Sequence, residues 1–295
     1  MNRPKLIILV GPPGSGKTTY ANKYVEENGY SIHLSSDVIR KDLWGDESIQ
    51  GDNNEVFSIM QDKAIKALNN GLNVLYDATN MTRKDRSYII SLCPKFVQIE
   101  AHIIWAPIET CIQRDVVRER TVGKEVIDKM LKRFQAPYYD EGIDSIYITY
   151  PDNFDHETYA YSVFNSTKIT HDNPHHSLDV YEHCCSAARY MEERTGEWDL
   201  ITAALLHDIG KPYTKSFQDA KGNLCDQAHY YQHQCVGAWQ YYGMRAMHIG
   251  LYDIDVAWLI STHMEPFFNS KYYKRLPVYL KEKIDLLHEA DLAAH

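Results

Sequence analysis

Long apolar runs are missing from this chain. No stretch approaches the roughly 18 consecutive apolar residues that a membrane helix needs. The run Leu6 to Val10 is too short and too quickly interrupted for a signal peptide, so a cytoplasmic protein without a membrane partner is expected. Cysteine is sparse. Cys93, Cys111, Cys184, Cys185, Cys225 and Cys235 contain no C-x-x-C spacing, which speaks for reduced, mostly buried thiols and against thiolate metal sites. With 15 Gly and 11 Pro in 295 residues, collagen-like and disordered classes are excluded. Positive charge is also short, 31 Lys and Arg against 40 Asp and Glu, a net of -9. That balance argues against a large constitutive nucleic-acid footprint but leaves room for a local basic groove that holds one strand end.

What is present is unevenly distributed. Residues 1 to 150 carry 19 Lys and Arg against 20 Asp and Glu, a net of -1, whereas residues 151 to 295 carry 12 against 20, a net of -8. Histidine splits 2 to 12 in the same direction. At roughly 150 residues per domain the length predicts two modules. The reading is 1–150 as one domain, 151–174 as a connecting segment without sustained periodicity, and 175–295 as the second domain.

The buried-strand pattern Lys5 to Val10 runs directly into Gly11-Pro-Pro-Gly-Ser-Gly-Lys-Thr18 and a helical stretch. This is a Walker A sequence in its required strand–loop–helix context. Backbone N–H groups around Gly11, Gly14, Ser15, Gly16, Lys17, Thr18 and Thr19 cradle phosphate oxygens of ATP. Lys17 reaches the β- and γ-phosphates, and the Thr18 hydroxyl sits on Mg²⁺. Further apolar runs, Ile32 to Leu34, Leu72 to Tyr76 and Val97 to Trp105, alternate with helical stretches. The expected fold is therefore an α/β P-loop domain, a parallel sheet with helices on both faces, with ligands at the carboxyl ends of the strands.

Three clusters follow those strand ends. Asp37 and Arg40 stand three residues apart. Asp37 can take a proton from an acceptor hydroxyl and Arg40 can hold an acceptor phosphate, while the plainer alternative is an N-cap and a solvated pair. Asp77 is placed like a Walker B acid that orders Mg²⁺ or its waters. Arg114 and Arg118, at i,i+4, can close over the triphosphate as a lid, or can be a solvated face neutralised by Asp115 and Glu119.

Together the P-loop, Ser35-x-Asp37-x-x-Arg40, Asp77-x-Thr79-Asn80 with Arg83, Lys84 and Arg86 behind it, Arg114-x-x-x-Arg118 and the tail Phe134 to Gly142 resemble the bacteriophage-type 5'-hydroxyl polynucleotide kinases over residues 4 to 150. The resemblance implies Asp37 as general base for a 5'-OH, Arg40 on the acceptor's phosphate, Arg114 as the lid arginine, and Lys17 and Thr18 in the P-loop.

From Leu178 the second half reads as helical. Leu178 to Met191 and Trp198 to Ile209 form a helix pair joined by a turn at Gly196. Folding that hairpin about Thr195 sets His183 opposite His207, which is followed by Asp208 and, at the helix end, Lys211. Ala228 to Ala238 is read as one helix with His229 and His233 on one face. Val256 to Thr262 delivers His263, and a short last helix from Lys281 delivers Asp291, four residues from the end of the sequence. Polar residues that end apolar helices are costly to bury unless something pairs with them. A metal centre of imidazoles and carboxylates accounts for all of them.

His183…His207-Asp208…Asp291, with Ile209-Gly210-Lys211, resembles the HD-domain metal-dependent phosphohydrolases, an all-α superfamily, over residues 170 to 295. The resemblance implies His183, His207, Asp208 and Asp291 as metal ligands. It adds His233 and His263 for a second metal bridged by Asp208, and Lys211 on the substrate phosphate. One or two divalent ions, Mn, Ni, Fe, Zn or Mg, are expected. His175 and His176 compete with His183 for the first place, which the hairpin geometry gives to His183.

Both resemblances taken together imply an end-healing enzyme, a 5'-OH polynucleotide kinase and a 2'- or 3'-phosphatase or 2',3'-cyclic phosphodiesterase. Its partners would be nucleic-acid ends, RNA ahead of DNA. No K-x-D-G motif is present, so sealing would fall to a separate ligase, and Asp253-Ile-Asp255-Val-Ala257 is no D-x-D-x-T phosphatase signature. Two alternatives stand beside this reading: a small-molecule or nucleotide kinase joined to an HD nucleotide phosphohydrolase, and a nucleotide-sensing regulator.

Overall fold

A computed structural model of the chain describes residues 3–46, 49, 51–118, 120–173, 178–244 and 253–294. The chain divides into two units: residues 1–130 with 137–152, and residues 131–136 with 153–295. The chain thus leaves the first unit for six residues before it returns.

The first unit contains β1 (Lys5–Val10), α1 (Lys17–Glu27), β2 (Ser31–Ser35), α2 (Ser36–Trp44), α3 (Asn53–Asn69), β3 (Asn73–Asp77), α4 (Arg83–Leu92), β4 (Gln98–Ile104), α5 (Ile108–Val116), α6 (Lys124–Leu131) and β5 (Ser145–Thr149). The five strands form a parallel sheet in the order β2-β3-β1-β4-β5. Leu6 to Val10 are wholly buried, as befits a central strand covered on both faces. The register pairs Leu9 with Asp77 and Ser35 with Asp77, so the ends of β1, β2 and β3 meet at one edge. β5 is a strand that sequence periodicity does not reveal. It is short, lies at the sheet edge, and is only partly buried along its length.

The second unit contains α7 (His156–Ser166), α8 (Val180–Arg194), α9 (Trp198–Leu206), α10 (Lys211–Thr214), the hairpin β6 (Ser216–Gln218) and β7 (Leu224–His229), α11 (His233–Gly243), α12 (Asp253–Thr262), α13 (Glu265–Phe268), α14 (Lys271–Arg275) and α15 (Val278–Ala293). α8, α9, α12 and α15 pack on one another, and α11 packs on α12. Gly196 takes a left-handed φ of 68° in the α8–α9 turn.

Three sequence expectations change here. Residues 151–174 are not a bare connection. Asp155 caps α7 by accepting from Thr158 N at 3.0 Å, and Ala160 and Val163 bury one side of the helix. His229 and His233 do not share a helix face, because His229 closes β7 and Gln232, at φ 64°, breaks the backbone just before α11. The last helix is sixteen residues long, because it starts at Val278, directly after Pro277 and three residues before Lys281, and runs to Ala293. His175, His176 and His248 lie outside the described residues. No described helix is long and apolar enough to cross a membrane.

Candidate active sites

The P-loop is shaped by close backbone contacts. Gly14 and Gly16 adopt φ of 79° and 105°, and a Cβ on Gly14 would fall 2.2 Å from the Cys111 carbonyl oxygen. Only glycine fits there. Ser15 lies buried against Gly11 with its hydroxyl oxygen unpartnered, and Thr19 sits exposed in the first turn of α1. Lys17 donates from Nζ to the carbonyls of Gly11 and Pro12, both at 2.9 Å, and burial pushes its amine below the usual range while Asp77 opposes the shift. An ammonium that caps two loop carbonyls stands where phosphate oxygens offer better partners. Thr18 Oγ1 donates to Asp77 Oδ2 at 3.1 Å, which brings the P-loop hydroxyl and the β3 carboxylate together as a Mg²⁺ site requires.

Asp37 lies in the first turn of α2 and is not its cap. Ser35 is the cap, accepting from Asp37 N at 3.3 Å. Arg40 Nη1 donates to Asp37 Oδ1 at 3.0 Å and Arg40 Nη2 to Asn53 Oδ1 at 3.0 Å, while Arg40 Nε is buried without a partner. Arg114 reaches back over the loop, with Nη1 3.4 Å from the Gly14 carbonyl and 3.5 Å from that of Ser15. Arg118 does not share a helix face with it, because α5 ends at Val116. Instead Arg118 lies 3.9 Å from Asp37 and 4.0 Å from Asp115, and Asp115 turns its carboxylate to the backbone N–H groups of Val122 and Gly123.

Two residues join this site without having been read from sequence. Arg120 Nη1 donates to Asp37 Oδ1 at 2.7 Å, and His33 Nε2 lies 2.9 Å from Asp77 Oδ2 with its Nδ1 3.2 Å from Asn22 Oδ1. A signal existed for both: Arg120 closes the run Arg118-Glu-Arg120, and His33 is one of two histidines in the first half.

In the second unit the α8–α9 hairpin and the ends of α12 and α15 bring the predicted ligands together. His183 Nε2 lies 3.2 Å from His207 Nε2 and 3.0 Å from Asp291 Oδ1. Asp208 Oδ2 is 3.3 Å from His207 Nε2 and 3.6 Å from His183 Nε2, while its other oxygen, Oδ1, is 3.1 Å from His233 Nε2. His233 Nε2 in turn is 3.1 Å from His263 Nε2. The ligand atoms form two sets, one from His183, His207, Asp208 and Asp291 and one from Asp208, His233 and His263, each set within 4.8 Å. Asp208 belongs to both.

The residues fit divalent cations on two counts. All four imidazoles are oriented alike: Nδ1 of His183, His207, His233 and His263 meets the backbone carbonyl of Ala294, Ala204, Tyr230 and Ile260 at 2.6, 2.7, 2.9 and 2.8 Å. A carbonyl only accepts, so Nδ1 donates and each Nε2 faces inward, as in metal-bound histidine. Lone pairs 3.1 to 3.2 Å apart repel unless a positive charge stands between them. Second, Asp208 Oδ2 is buried without a well-directed hydrogen bond, although Lys211 Nζ is 2.5 Å away.

The charges agree with this. Burial alone would raise the Asp208 and Asp291 carboxyls. Instead positive charge beside them, from His207 and Lys211 at Asp208 and from protons shared by His183 and His207 with Asp291, holds both well below the usual carboxylate range, and Asp208 in turn holds His207 well above its own range although burial alone would lower it. Burial, with His233 and His207 nearby, lowers His263 to about 3, so this ring stays neutral and available as a ligand. Gly210 lets α10 and the start of α11 touch, since a Cβ there would meet the His233 carbonyl oxygen at 2.0 Å. His171 is a further member that sequence reasoning misses: its Nδ1 donates to the Leu178 carbonyl at 2.9 Å, so Nε2 accepts from Lys211 Nζ at 3.2 Å. One of twelve histidines in this half, it carries no local motif. His229 stacks on Tyr231 at 5.3 Å, and His156 hydrogen-bonds the Gly243 carbonyl at 2.9 Å.

Comparison with known proteins also finds two parts. A family model described as an AAA domain matches residues 6–137, and one described as an HD domain matches residues 175–293. The chain is 28% identical over 155 residues to the transcription factor bHLH140 of Arabidopsis thaliana, covering 50% of this chain and 16% of that protein. It is 33% identical over 134 residues to adenylate kinase isoenzyme 1 of Cyprinus carpio, covering 41% of this chain and 67% of that one. Among solved structures it is similar to a Pnkp1/Rnl/Hen1 complex at 27% identity and a TM-score of 0.37, covering 42% of this chain and 43% of that one. The chain thus spans less than half the length of the Arabidopsis relative and of the matched chain in that complex. With the loop geometry and the shared aspartate, the two family models show a P-loop AAA domain of kinase type followed by a helical HD domain.

Proposed function

We propose that this chain is a bifunctional nucleic-acid end-healing enzyme, with RNA ends as substrate. Its P-loop unit transfers the γ-phosphoryl of ATP to a 5'-hydroxyl. Its HD unit removes a 2'- or 3'-phosphate or opens a 2',3'-cyclic phosphate. The observation that carries the kinase half is Asp37, a half-exposed carboxylate on the same strand-end edge as the P-loop and ringed by Arg40, Arg118 and Arg120. A sensor that only binds nucleotide has no use for an acceptor base. In the proposed reaction Lys17 exchanges the Gly11 and Pro12 carbonyls for phosphate oxygens, Arg114 follows the transferring group, Arg40 holds the acceptor's phosphate, and Asp37 takes the hydroxyl proton. Thr18 and Asp77 would hold Mg²⁺, which would supply positive charge against that of the phosphates.

In the HD unit, His183, His207, Asp208 and Asp291 would hold one cation, and Asp208, His233 and His263 a second. Such ions supply a bound water of lowered pKa and a clamp on phosphate oxygens. The chain's own contribution is orientation: backbone carbonyls fix each imidazole, and His171 holds the Lys211 ammonium beside Asp208, where it meets the substrate phosphate. Metals also reconcile a half of net charge -8 with an anionic substrate. A ligase would seal the ends.

The test incubates the protein with γ-labelled ATP, Mg²⁺ and a 5'-OH oligonucleotide, beside a 3'-phosphate oligonucleotide with Mn²⁺ or Ni²⁺. Label on the oligonucleotide and phosphate released from its 3' end are the expected results. Label on nucleosides or nucleoside monophosphates alone would instead establish the nucleotide-kinase alternative.

A further inference from the structure

One stretch of the acidic half runs against its charge. From Pro266 to Lys281 the sequence holds four cations, Lys271, Lys274, Arg275 and Lys281, and no acid. Lys271, Lys274 and Arg275 are exposed, and among the described residues none of the three forms an ion pair. Aromatic rings stand exposed in the same stretch: Phe267 at 72%, Phe268 at 52% and Tyr279 at 64%, the two phenylalanine rings meeting edge-on at 5.7 Å. A single exposed aromatic needs no explanation, but an adjacent pair with a third ring and three unpaired cations does.

The base beneath them is firmly built. α13 packs on α15, Ser270 caps α14 by accepting from Tyr273 N at 3.1 Å, and Trp258 Nε1 donates to the Tyr272 hydroxyl at 3.0 Å. Lys281 lies 4.7 Å over the Tyr273 ring. Of the acids that flank the stretch, Glu265 is engaged by the Ser270 hydroxyl and Asp285 by the Tyr273 hydroxyl, while Glu282, exposed directly after Lys281, forms no ion pair among the described residues. The stretch also begins beside the metal centre. Phe267 follows the ligand His263 by four residues, at most about 14 Å of chain.

We propose that this surface binds single-stranded nucleic acid, with bases stacked on Phe267, Phe268 and Tyr279 and phosphates paired with Lys271, Lys274 and Arg275. Rings take any base by its π-face and cations track the backbone, so the surface grips the strand whatever its sequence. The direction of the strand, its phosphate end toward His263, rests on the end-processing reading of the HD unit. The binding itself does not.

The experiment measures fluorescence anisotropy of a single-stranded oligonucleotide phosphorylated at both ends, titrated with the full chain over a range of salt. For Phe267→Ala/Phe268→Ala an affinity loss of about tenfold or more is expected, and Phe268→Tyr, which keeps a ring, should bind like wild type. Lys271→Ser/Lys274→Ser/Arg275→Ser should lower the slope of log affinity against log salt by about 2. Metal content of each variant reports that the helical unit still folds. Equal affinity and slope in variants and wild type, or no binding by wild type, would overturn the proposal. So would lost binding to vesicles of phosphatidylcholine and phosphatidylserine with oligonucleotide binding intact. Failure to release phosphate from any 3'-phosphate end overturns the end-processing reading and leaves the binding result standing.

Discussion

Arg120 Nη1 and Arg40 Nη1 both donate to one oxygen of Asp37, Oδ1, at 2.7 and 3.0 Å, which among the described residues leaves Oδ2 with only Arg118 at 3.9 Å. In the proposed reaction Oδ2 would thus be the oxygen open to an acceptor's hydroxyl. Asp37→Asn keeps the shape but cannot take a proton, and a loss of about 10²- to 10⁴-fold in kinase turnover is expected. Calorimetry should find ATP binding retained. Wild-type turnover in the variant would remove Asp37 from its role.

The two chemistries use separate residues, so they should fail separately. Lys17→Ala is expected to abolish phosphoryl transfer and leave phosphate release intact, and His207→Ala to do the reverse. Paired assays on each purified variant check this, and loss of both activities in either variant would contradict two independent sites.

Asp208 offers one oxygen to each ligand set, so its loss should empty both. Metal analysis after dialysis is expected to find two divalent ions per chain in wild type and none in Asp208→Asn. Asp291→Asn and His263→Ala should each retain one, Asp291 serving only the first set and His263 only the second. Two ions retained by Asp208→Asn would refute the bridge.

In the first unit Arg86 is fully buried, with Nε and Nη2 donating to the two carboxylate oxygens of Glu141 at 2.8 and 2.7 Å and Nη1 to the Asn80 carbonyl at 3.0 Å. Removing one partner strands a buried charge. Arg86→Met should destabilise this unit by about 3–5 kcal/mol, seen in urea unfolding, and Arg86→Met/Glu141→Leu should regain much of that. No recovery in the double variant would show that the pair does more than neutralise itself.

The placement of the candidate site residues was more legible in the sequence than the scaffold around them. The P-loop, Asp37 with Arg40, and Asp77 each follow an apolar strand run, so local pattern sufficed to place them. That His183 faces His207 follows from hairpin arithmetic, and their reading as ligands from the resemblance to the HD domains. What sequence hid has a physical cause in each case. β5 lies at a sheet edge and lacks the unbroken burial that marks β1. α7 depends on one capping aspartate in a polar stretch. Gln232 takes a left-handed φ that side-chain patterns do not announce, so His229 and His233 were read on one face. Arg120 and His171 act through partners far away in sequence, Asp37 and Lys211, which no local spacing reveals.

The excursion of residues 131–136 into the second unit governs how the protein can be divided. Phe134 is wholly buried there, its ring edge-on to Trp239 at 5.3 Å and to Tyr242 at 6.1 Å. A fragment cut at the apparent border, beginning at Asn153, would carry every proposed metal ligand yet lack that ring, opening a hole beside two large aromatics. The helical unit is complete only with residues 131–136, which precede the last strand of the first unit in the chain, so no single cut yields both units whole.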